Sequence, residues 1–226
     1  MNRYFSIFVL IIIGISFSFT GCNHDKEVTG VSVYPPICVL KVDETIHLNA
    51  TVTPHDADNQ TVKWVVNTLY SVDSISDVAS ISDIGKVKGL AEGFASAVCI
   101  TNDGFHEDKA GVMVGYATAV KGSYNGSLSE NNEVINTAAK IGIVRLSEYE
   151  ANFGLSFLND SATCPVTVDY QSEKLQISGS LEGDTTTVKV TGAVTLDGLG
   201  SFEIVVEDLS SNVTTYSFFG TINRPF

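Results

Sequence analysis

An all-β protein is predicted: a β-sandwich followed by an antiparallel meander that closes into a small β-barrel. Three observations predict it. Apolar and polar residues alternate with period 2 over many short runs, the pattern of strands with one buried and one wet face. Gly, Asn, Asp and Pro clusters separate these runs at intervals of about 8–12 residues, as in sandwiches and barrels. Few segments repeat apolar residues at helical spacing, and Thr, Ser, Val, Ile and Gly dominate the composition.

The first element lies outside this pattern. MNRYF, whose only charge is Arg3, leads into the apolar stretch FSIFVLIIIGISFSF. About 15 apolar residues is signal-peptide length and short of the roughly 20 that a spanning helix needs. The stretch ends Phe19-Thr20-Gly21-Cys22, which resembles the lipobox of bacterial lipoproteins, with Phe19 where Leu is usual. The resemblance implies a signal peptide at 1–21, cleavage before Cys22, and lipid on its sulfur and new amino group. Several acyl chains, at roughly 0.8 kcal/mol per buried methylene, hold such an anchor effectively permanently. Residues 22–27 are a polar tether, and Asp25 and Glu27 resemble the acidic signal that sends some lipoproteins to the outer face. The implied location is the bacterial outer membrane, lipid-anchored, facing the periplasm or the cell surface.

Without residues 1–21 the chain has 12 basic and 26 acidic residues, a net charge of −14. Such a surface repels phosphate backbones, which argues against nucleic-acid binding. Cys38, Cys99 and Cys164 each fall on the apolar side of a strand pattern, so they read as buried thiols acting as small hydrophobes. A Cys38–Cys99 bridge is the alternative in an oxidising compartment.

The first module spans residues 28–116. Its opening, to Trp64, reads as three strands: Leu48, Ala50 and Val52 alternate with His47, Asn49 and Thr51, and Val62, Trp64 and Val66 with Lys63 and Val65. Residues 67–77 read as an inserted loop, and further strands follow at 78–100 and near Gly111–Val114. The order VDETIHLNATVTP…TVKW…DVASISDIGKVKGLAEGFASAVCI resembles the bacterial Ig-like domain, group 2. The matching features are the Asp43-Glu44-Thr45 turn, Pro54, the single Trp64, the Val78-Ala79-Ser80-Ile81 step, and Gly85, Val87, Gly89, Gly93 and Ala95. That family implies a sandwich in a surface protein or lipoprotein.

The second module, residues 119–226, follows a short joint that reads as polar. Cys164, Val166, Val168 and Tyr170 alternate with polar residues. So do Leu175, Ile177, Gly179 and Leu181, then Val188 to Leu196, then Phe202, Ile204 and Val206, and the last strand ends TTYSFFGTINR. Short links such as Gly183-Asp184 make neighbours pair as hairpins, and about eight such strands close into a barrel. The opening YNGSL and ending FFGTI resemble calycin-like (lipocalin-related) domains; a second sandwich is the alternative.

No chemistry stands out. His24, His47, His55 and His106 all precede the second module, so a nucleophile there lacks an imidazole base. Glu203 and Glu207 lie four residues apart on one strand, roughly 13 Å at the usual rise, and read as a solvated stripe. No metal-ligand spacing appears, and no cofactor is expected. The function expected is a non-catalytic, lipid-anchored envelope or surface binding protein, its Ig-like spacer presenting a barrel recognition domain. Its partner is a protein, a glycan or a small apolar ligand. The alternatives are a structural or assembly subunit of an envelope complex, and a glycan-active hydrolase. For a small ligand, Phe153, Phe157, Tyr170, Phe202, Tyr216 and Phe218 are the expected lining, because they recur on apolar strand faces. For a glycan, Tyr70, Tyr124, Tyr149, Tyr170, Tyr216 and Phe226 are the expected contacts.

Overall fold

The computed structural model describes residues 26–68, 71–154 and 163–223. Pro35 and Pro36 divide the first predicted strand, since proline has no N–H to give to a ladder. The chain leaves β1 (Gly30–Tyr34) and restarts as β2 (Ile37–Leu40) in another sheet. After β3 (Thr45–His47) comes β4 (Asn49–Thr53), the antiparallel partner of β1. β5 (Val62–Thr68) is followed by β6 (Ser71–Ile75), so part of the segment read as a loop is strand. β7 (Ala79–Ile81), β8 (Lys86–Gly89), β9 (Gly93–Thr101) and β10 (Glu107–Val114) complete the module. One sheet has the order β2-β10-β9-β5-β6, with β2 and β10 parallel; β3-β8-β7 and β1-β4 make the others.

Trp64 lies in the core with Leu48, Val87, Ala97 and Val112. The glycines around it answer to close backbone approach. A Cβ on Gly85, whose φ is +79°, would stand 2.4 Å from the Leu48 carbonyl oxygen, and one on Gly89 would stand 2.6 Å from that of Lys41.

The second module is the expected closed barrel. β11 (Gly122–Glu130), β12 (Glu133–Arg145), β13 (Glu150–Gly154), β14 (Thr163–Gln171), β15 (Lys174–Glu182), β16 (Thr186–Thr195), β17 (Leu199–Asp208) and β18 (Val213–Thr221) each pair antiparallel with the next. β18 closes on β11. Two hairpins turn through left-handed pairs, Asn131-Asn132 and Ser172-Glu173, the conformation that matches strand twist.

The joint differs from its sequence reading. It is a helix, α1 (Tyr116–Val120), with all five residues buried. The helix packs on β2 and β10 on one side and on β12, β14 and β15 at one end of the barrel. One apolar cluster runs from Val39 and Met113 through Tyr116, Ala117, Ala119 and Val120 to Ile143 and Leu175.

The chain enters the first module at the opposite end. The Val28 N–H donates to Asp103 Oδ2 at 3.3 Å, and the Val28 carbonyl lies 2.9 Å from His106 Nε2. Both partners flank the turn that leads into β10. The eight residues of β10, at about 3.4 Å each, put roughly 24 Å between that turn and α1.

Candidate functional site

The barrel centre is occupied by its own rings. Phe153, Phe202 and Phe218 point inward and are at most 2% exposed. Phe202 meets Phe153 edge-on with ring centroids 5.1 Å apart, meets Tyr124 edge-on at 5.3 Å, and stacks on Phe218 at 6.1 Å. Among the described residues, these rings pack against one another in the apolar cluster. Tyr170 and Tyr216 are half-buried against the same cluster, and Tyr170 lies beside Tyr116 at 5.9 Å. Phe157 lies outside the described residues, as do Cys22, Tyr70 and Phe226.

The thiols are core as well. Cys38, Cys99 and Cys164 are buried and unbridged. Cys38 pairs with Val112, which pairs with Ala95. Cys99 lies four residues beyond Ala95, about 13 Å along the strand, too far for a disulfide. Burial pushes the Cys38 thiol up to about 12 and, with Asp108 adding to it, the Cys99 thiol up to about 11.

At the junction, the β12–β13 turn is held by α1 and by the first module. The Ala117 N–H donates to the Glu148 carbonyl at 2.8 Å, and the Val42 N–H donates to Glu148 Oε1 at 3.1 Å. Arg145 and Glu92 form an ion pair. The Lys41 ammonium lies over the rings of Tyr116 and Tyr149 at 5.3 and 5.5 Å, within cation–π range. Tyr149 remains 40% exposed there.

Among the surfaces open on the outside of the barrel, two stand out. One is a groove of about 620 Å³ over β13–β16, edged by Leu146, Glu150, Pro165, Thr167, Ser178 and Lys189. The other is centred on Phe219, which no sequence reading singled out. Phe219 follows Phe218 in β18, so the period-2 rule sends its ring outward, where it is 56% exposed. Its cross-strand partners are Ser127 on β11 and Ser201 on β17. Neither serine can shield a phenyl ring. Ser217 and Thr221 flank it along β18, and Glu203, paired with Ser217, is the nearest carboxylate diagonally across. The inward row beneath is Gly126–Gly220–Gly200, paired strand to strand. The doublet Phe218-Phe219 inside a strand was the signal available in the sequence.

Among the described residues no group of three or more His, Cys, Asp and Glu side chains is placed to hold a metal ion. Residues 27–112 match the family described as bacterial Ig-like domain (group 2). No curated protein matches the chain. A solved structure similar in part is SGBP-B of the Bacteroides ovatus mixed-linkage glucan utilization locus, in complex with a mixed-linkage heptasaccharide. It is 10% identical, with 85% of this chain and 70% of that chain covered and a TM-score of 0.24. A likeness at that level carries no functional argument. The chain is thus similar to the bacterial Ig-like domain (group 2) over residues 27–112, and a closed eight-stranded antiparallel barrel follows.

Proposed function

We propose that this protein is a non-catalytic binding protein, lipid-anchored through Cys22 at the bacterial outer membrane, whose Ig-like domain (residues 28–116) holds the barrel (residues 119–226) outward. The observation that carries this reading is the polarity of the first module. The chain enters beside Asp103 and His106, and the barrel docks at the other end of β10. A tether of six residues, 22–27, then leaves the barrel as the part farthest from the lipid.

A binding role through the exterior is supported by the filled barrel centre and by the open outer groove and Phe219 wall. A non-catalytic role is supported by the buried thiols, whose raised pKa values keep them protonated and unreactive near neutral pH. The test is fractionation of cells that express the full chain. The wild-type protein is expected in the outer-membrane fraction, with its barrel cut by protease added to intact cells. Cys22→Ala is expected to appear as a soluble or unprocessed species. Membrane attachment unchanged in Cys22→Ala would overturn the anchor, and a barrel protected in intact cells would overturn the surface orientation.

A further inference from the structure

Resting on the reading of a barrel that binds through its exterior, we propose that the wall formed by β11, β18 and β17 is a docking site for a neutral glycan, with Phe219 as the stacking platform. A pyranose ring has an apolar C–H face and a rim of hydroxyls, and this wall offers the complement of both. The apolar element is a single phenyl ring, 56% exposed and flanked across both neighbouring strands by serines. Neither serine is long enough to cover the ring, and more than half of Phe219 is open to a sugar. Around the ring stand the hydroxyls of Ser127, Ser201, Ser217 and Thr221, which donate and accept hydrogen bonds, and the Glu203 carboxylate, which accepts them.

Charge selects among glycans. Glu203 is the only charged residue in this set, and the chain without its signal peptide carries −14, so a sulfated or uronate chain is repelled. A protein partner fits less well, because interface cores gather several apolar or Arg side chains around an aromatic anchor. Here one ring stands among hydroxyls. The platform is also stiff. Gly126, Gly220 and Gly200 let the three strands close tightly behind it, and the Phe202 and Phe218 rings fill the space beneath.

The experiment is calorimetric titration of the folded chain, without its signal peptide, with neutral hexasaccharides of β-1,4-glucose, α-1,4-glucose and β-1,4-mannose. A sulfated heparin hexasaccharide serves as the anionic comparison. At least one neutral probe is expected to bind. Phe219→Ala is expected to weaken it at least tenfold, Phe219→Tyr to stay within about threefold, and Phe105→Ala, an exposed ring on the other module, to leave it unchanged. Equal melting temperatures of wild type and Phe219→Ala would show that the loss is local. No neutral binding at millimolar concentration, a preference for the sulfated probe, or binding indifferent to Phe219→Ala would each overturn the site. The broader reading fails separately. Protease protection of the barrel in intact cells would remove surface display yet leave a Phe219-dependent glycan site standing.

Discussion

Phe218 and Phe219 are chain neighbours on opposite sides of one wall, and the glycines beside them show how thin that wall is. A Cβ on Gly126 would stand 2.0 Å from the Phe219 carbonyl oxygen, a backbone atom that cannot swing away. Gly126→Ala is therefore expected to destabilise the barrel by about 3 kcal/mol, the upper end of overpacking effects. Gly142 sits in the same barrel with nothing within 4 Å of its Cβ position. Gly142→Ala is expected to be neutral or to gain up to about 1 kcal/mol, through lost freedom of the unfolded chain. Urea denaturation of the two variants side by side checks both. Equal effects would mean that the close approach at Gly126 is not what holds glycine there.

At the scale of elements, α1 decides how the two modules relate. Five residues make little helix stability of their own, so the helix exists because Tyr116, Ala117, Ala119 and Val120 are covered from both sides. The Thr118 hydroxyl is buried there with no hydrogen-bond partner among the described residues. Burial, then nearby Glu44 and Asp169, push the Tyr116 phenol from its ordinary value of 10.0 up to about 12. The folded state thus favours the protonated form. That contribution is complete below pH 10 and is lost as pH rises from 10 towards 12, where the unfolded chain releases a proton that the fold retains. The urea midpoint is expected to fall over that window, and Tyr116→Phe to flatten part of the fall. A wild-type curve matched by Tyr116→Phe at every pH would mean that Tyr116 does not contribute to it.

For the whole molecule, the buried helix means that a cut between the modules has a preferred place. A fragment of residues 119–226 lacks Tyr116, Ala117 and Thr118, and so leaves one end of the barrel uncovered. It is expected to unfold cooperatively but to be less stable than residues 115–226 by about 2–5 kcal/mol, the range for removing a large core side chain. Thermal and urea melts of both fragments measure the difference. Identical stabilities would mean that α1 belongs to the first module alone. The same junction ties the first module to the outer groove, because Lys41, Val42 and Glu92 hold the β12–β13 turn that edges it.

The strands, their buried faces and the closed meander were legible in the sequence, because a residue's face in a strand depends only on its parity. Leu175, Ile177, Val188, Val190, Phe202, Ile204 and Phe218 were all assigned inward on that ground, and all are buried or nearly so. The same parity would have placed Phe219 outside. The glycines of the first module were legible as a motif, although the carbonyls of Leu48 and Lys41 that require them lie far away in the chain. Two things were settled only by tertiary structure, and a third depends on it. Pro35-Pro36 marks a break, but that β2 then joins β10 in parallel depends on which sheet has an open edge. YATAV is too short to show a period, and it became a helix only because two sheets close over it. Whether inward rings leave a cavity depends on the barrel's interior volume against the summed volume of Tyr124, Phe153, Phe202 and Phe218. That balance is non-local, and no run of residues displays it.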